Sequence, residues 1–147
     1  MSLKAKLMDD LKLAMKEKNQ VKKSVITLIR AAVKQYEVDN RVELDEQGVL
    51  DIVVKQMKQR KDALEEFTKA GREDLISQTQ EEMEILKDYL PAQLSEEEIE
   101  VIVVDTIKEI GASSMKEMGK VMSALMPKVK GKADGKIVNE LVKKHLQ

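Results

Sequence analysis

Four lysines, Lys128, Lys130, Lys132 and Lys136, fall close together in a stretch that also holds Gly131 and Gly135. Their chemistry is attraction of anions. The apolar pattern that resumes at Ile137 and Val138 places this stretch as the loop leading into a final helix. A helix N-terminus offers unpaired N–H groups and about half a positive charge. Ammonium groups delivered to it add Coulomb attraction for a phosphate. A solvated surface loop is the competing reading of the same lysines. Upstream, Gly119 and Lys120 interrupt a helical pattern continued by Val121, Met122 and Leu125. Glycine inside a helix costs about 1 kcal/mol relative to Ala. Gly119 therefore reads either as tight packing between helices or as room for a ligand backbone.

The remaining reactive types give less. Glu81, Glu82, Glu84 and Asp88 could move protons or hold a divalent cation. With no positioned His and no glycine-rich cradle beside them, they read as a solvated helix face. His145 is the single histidine and there is no Cys, which excludes disulfides and thiolate metal centres. No phosphate loop, dinucleotide fingerprint, serine elbow or zinc spacing is present. The expectation is a chain with no catalytic residue, no metal and no cofactor. Nine Met at helical spacing read as core filling.

The elements that must position the lysines are helices. Two Pro and six Gly in 147 residues leave few breakers, and apolar residues recur at 3.6 spacing. Four helices are expected first: Ser2 to Glu17; Val21 to Glu37, ended by a turn at Asp39 and Asn40; one beginning at Asp45 and ended by Gly71; and one opening at Glu73 and Asp74. Their inward faces are read as Leu3, Leu7, Leu11, Ala14 and Met15; Val25, Leu28, Ile29, Ala32, Val33 and Tyr36; Val49, Ile52, Val53, Met57, Leu64 and Phe67; and Leu75, Ile76, Thr79, Met83, Leu86 and Leu90. Pro91 forces a stop. Ser95 and Glu98 then form a capping box, with Leu94 and Ile99 as its hydrophobic staple. Three helices follow: one to Gly111; one opened by a second capping box at Ser114 and Glu117 and closed by Pro127; and one capped by Asp134. The fold class is all-α, an N-terminal four-helix domain over 1–91 and a C-terminal three-helix domain over 94–147.

Charge divides within the second domain. Residues 93–115 hold six acids and one base, whereas 116–147 hold eight Lys and three acids. No run of apolar residues is long enough for a membrane span and the start lacks a secretory signal, so a cytoplasmic location is expected.

Four stretches in order, Phe67–Leu75, Tyr89–Ser95, Met118–Met122 and Lys130–Gly135, resemble the YqeY-like family over essentially the whole chain. The family's first motif usually has Tyr where this chain has Phe67. The last third, through Gly119–Met122 and Lys130–Asp134, is also similar to the tail domain of the B subunit of glutamyl/aspartyl-tRNA amidotransferase. That resemblance implies a small helical domain gripping the outer corner of a tRNA, with Gly119, Lys120, Lys130, Gly131 and Lys132 as contact positions. The domains that activate the substrate with ATP and release ammonia have no counterpart here. A family label of carbon–nitrogen ligase with glutamine as amido donor would be inherited through the tail.

The expected function is a tRNA-binding or amidotransferase-related accessory protein that is not catalytic alone. Its candidate contacts are Gly119, Lys120, Lys128, Lys130, Gly131, Lys132 and Lys136, and its expected partner is tRNA. The alternatives are a module docking a tRNA-modifying or aminoacylation enzyme through an exposed apolar stripe, and the carbon–nitrogen ligase.

Overall fold

The computed structural model describes residues 2–147, and among them every regular element is helical. There are seven α-helices and one short 3₁₀ turn. The chain divides into two compact units, Met1–Leu90 and Pro91–Gln147.

The first unit holds α1 (Leu3–Lys16), α2 (Gln20–Asn40), α3 (Glu46–Ala70) and α4 (Glu73–Lys87). Local chemistry sets most of their ends. Ser2, Asn19 and Asp45 each accept a backbone N–H of the first turn, from Ala5, Lys22 and Gly48. Gly71 ends α3 in the left-handed region, at φ 67°. Leu7, Val25, Ile26, Ile29, Val49, Val53 and Leu86 are fully enclosed. Each such side chain contributes about 1.5–3 kcal/mol on leaving water. Tyr89 closes this core, its hydroxyl donating to Asp10 Oδ2 at 2.6 Å.

Two expectations about this unit are corrected. The second helix runs through Asp39 and Asn40 and stops at Arg41, which takes the left-handed conformation at φ 53°. Met15, Leu28 and Tyr36 face solvent at 56%, 52% and 48% exposure. Met15 and Leu28 sit at the margins of their helices' apolar stripes, whereas Tyr36 lies within its stripe but only one turn before α2 ends.

The second unit holds α5 (Glu96–Ile110), the 3₁₀ turn Met115–Glu117, α6 (Met118–Val129) and α7 (Gly135–Leu146). The Ser95–Glu98 capping box forms in both directions, and Gly111 ends α5 at φ 74°. Ile99 and Val103 of α5, Val121, Leu125 and Val129 of α6, and Val138, Leu141, Val142 and Leu146 of α7 make one core.

The second capping box is not made. Ser114 caps nothing, and Glu117 Oε2 instead accepts the N–H of Ser113 at 2.6 Å, over a 3₁₀ turn. Nor does Pro127 close the sixth helix, which continues to Val129. A proline in the last turn forfeits one helical bond only. Lys130 N still reaches Met126 O at 2.9 Å, and buried Val129 holds the turn to the core. Lys128 is therefore helical and not part of a loop.

Candidate nucleic-acid interface

The lysine segment begins on the last turn of α6 and ends on the first turn of α7. Its backbone is pinned. Lys132 N and Ala133 N both bond Val129 O, at 2.9 and 3.1 Å. Gly131 is buried with φ 77°, a conformation that glycine takes without the steric cost of a Cβ. From the segment before α5, Leu94 N donates to Lys132 O and Gln93 Nε2 to Gly131 O, each at 2.8 Å. This clasp is not legible in the sequence, because its halves lie 38 residues apart and neither belongs to a periodic pattern.

The lysines on this scaffold divide by partner. Lys128 Nζ lies 3.0 Å from Glu109 Oε2 and 3.0 Å from Thr106 Oγ1, both on α5. Thr106 is fully buried and its hydroxyl donates a hydrogen bond to Ile102 O. Lys130 is exposed but has a partner of its own. Lys120, Lys132 and Lys136 are exposed and, among the described residues, make no ion pair. Farther along α7, Lys144 and His145 meet Glu100 of α5 at 3.4 and 2.9 Å. The hydrogen bond with His145, and then that from Lys144, hold the Glu100 carboxyl below its ordinary value. The acids of α5 thus engage Lys128 and Lys144, whereas Lys132 and Lys136 have no ion pair among the described residues.

Two further positions shape the surface. Asp134 caps α7 by accepting Lys136 N at 3.0 Å, so a carboxylate already occupies one donor of that helix N-terminus. Any phosphate here meets ammonium groups rather than free helix N–H groups alone. Gly119 is the second residue of α6, not an interior one, and is exposed. A Cβ built there would meet nothing within 4 Å. Tight packing against another helix of this chain does not account for it.

Elsewhere, the carboxylates of α4 are spread among separate cations. Glu82 lies 3.8 Å from Arg60, and Glu84 lies 2.9 Å from Lys87. No group of three His, Cys, Asp or Glu side chains among the described residues could hold a metal ion.

A family model described as "Yqey-like protein" matches residues 4–146. Among curated proteins, the chain is 39% identical to "Altered inheritance of mitochondria protein 41, mitochondrial" of Lachancea thermotolerans, over 75% of this chain and 60% of that protein. It is 36% identical to the protein of the same name in Kluyveromyces lactis, over 74% of this chain and 60% of the relative. The one in Pyrenophora tritici-repentis is 28% identical over 97% of this chain and 77% of its own length. The chain thus spans about three fifths of the first two relatives.

These names overturn the expected cytoplasmic location, since the relatives are mitochondrial proteins by name. That expectation rested on a missing secretory signal and membrane span. Among the described residues no helix is long and apolar enough to cross a membrane, but that observation does not choose between the cytoplasm and an organelle.

Proposed function

The chain belongs to the YqeY-like family, and from that premise we propose that its C-terminal unit is a phosphate-reading RNA module, directed at tRNA, that supports another protein's chemistry. On this reading the two compact units are two domains, four helices and three. The observation that carries it is the set of exposed lysines without an acid among the described residues: Lys132 and Lys136 at the pinned turn into α7 and Lys120 on the first turn of α6, while α5 acids engage Lys128 and Lys144.

Such a surface positions a partner through its backbone and discriminates by shape, because phosphate contacts carry no base information. Gly119 supports the same reading by leaving open space beside Lys120, where a sugar–phosphate chain can approach a helix. The unit from Pro91 to Gln147 holds no Phe, Tyr or Trp, so base stacking on aromatic rings does not contribute.

The test is tRNA binding by the intact chain as a function of salt. Log affinity should fall linearly with log salt, with a slope of about one per phosphate neutralised. Changing Lys120, Lys132 and Lys136 together to Glu should abolish binding while leaving the helical circular dichroism unchanged. Equal binding by this variant and the parent would rule the interface out.

A further inference from the structure

A groove of about 650 Å³ opens between α1 and α2 in the first unit. That volume lies within the range of sites that hold small organic ligands, about 300–1,000 Å³. Its floor is apolar: Leu7 and Val33 are buried there, Met8 is 38% exposed, and Ala31 lies beside them. Its rim is charged, by Lys4, Arg30, Lys34 and Glu37.

The rim is not balanced. Lys4 Nζ lies 2.7 Å from Glu37 Oε2, and that carboxylate also accepts Leu44 N at 2.7 Å. Lys4 Nζ also lies 3.8 Å from Glu43 Oε1, so its charge is met by acids of this unit. Arg30 and Lys34 remain, four residues apart on one helix, where like charges repel each other. Among the described residues neither makes an ion pair. Two cations thus stand over an apolar floor with no ion pair among the described residues.

We propose that this groove binds an anionic amphiphile, its apolar body on Leu7, Met8 and Val33 and its phosphate or carboxylate head between Arg30 and Lys34. A partner helix fits less well. The α1 wall of the groove spans only Lys4 to Met8, roughly one helical turn at about 1.5 Å per residue. Helix-in-groove recognition uses anchors over two turns or more. A compact ligand needs no longer trough. This site lies in the unit that the RNA reading does not use, so the two proposals fail separately.

The experiment titrates the intact chain, isotopically labelled for NMR, with octyl phosphate, octyl glucoside and inorganic phosphate. Octyl phosphate should bind saturably and shift the amides of Met8, Ala31 and Lys34, while each control binds about tenfold more weakly or worse, as loss of charge-assisted bonds or of apolar burial requires. Arg30→Gln combined with Lys34→Gln should weaken octyl phosphate about tenfold and leave the spectrum of the unliganded chain intact. Equal affinity for octyl glucoside would overturn the proposal, because the cations would then do nothing. Equal affinity for inorganic phosphate would overturn it as well, because the floor would then do nothing. So would binding of an acidic amphipathic peptide in the groove with no binding of octyl phosphate. Sedimentation with vesicles containing phosphatidic acid identifies a bilayer headgroup as the source; binding of monomeric octyl phosphate without sedimentation identifies a free ligand.

Discussion

Tyr89 illustrates what one residue does in a core nearly empty of rings. It is 3% exposed, its hydroxyl donates to Asp10 Oδ2 at 2.6 Å, and the Lys6 ammonium lies 4.8 Å from its ring centre. Burial first, and the Asp10 carboxylate second, push its hydroxyl pKa far above the ordinary 10.0. The neutral phenol is therefore favoured in the folded state. An unfolded chain ionises near the ordinary value and the folded one does not, so the contribution of Tyr89 is complete below about pH 10 and declines as pH rises further. Tyr89→Phe should remove that alkaline sensitivity and cost about 1.5–3 kcal/mol at neutral pH, the range for a hydrogen bond to a charged group. Chemical denaturation at neutral and alkaline pH measures both. An unchanged alkaline slope in the variant would assign the sensitivity elsewhere. The sequence displayed Tyr89 beside Pro91 but gave no hint of Asp10, 79 residues away.

At the scale of the element, legibility followed the range of the interaction. The ends marked by Ser95, Gly71 and Gly111 could be read because a cap needs residues within one turn of each other. Ser95→Ala should destabilise the second unit by about 1 kcal/mol, seen as earlier urea unfolding, and Ser114→Ala should have no such effect because Ser114 caps nothing. Equal effects of the two would contradict the observed caps. Pro127 misled because the sequence does not reveal that Val129, beyond it, is buried and extends the helix. Leu28 misled because periodicity gives the direction of a face but not its width, and Tyr36 because periodicity does not say how far along a helix its neighbours cover it. Of the candidate interface, the lysines and the Asp134 cap were legible. The neutralisation of Lys128 by Glu109 was not, since pairing between α5 and α6 depends on how the helices pack.

At the scale of the molecule, each unit encloses an apolar core of its own. If the units are domains, residues 1–90 and 91–147 expressed separately should each be helical and each unfold cooperatively. Failure of either fragment to fold would contradict the division. The shorter fragment should be the more sensitive to lost caps, since small domains bury a smaller share of their surface. A further consequence follows from where the rings lie. Tyr36, Phe67 and Tyr89 all precede Pro91, and there is no Trp. Near-ultraviolet dichroism therefore watches the first four helices and is blind to the last three, whereas amide dichroism sees all seven. Heating the intact protein while recording both wavelengths therefore follows the first four helices in one trace and all seven in the other, and a melting step seen only in the amide trace belongs to the last three.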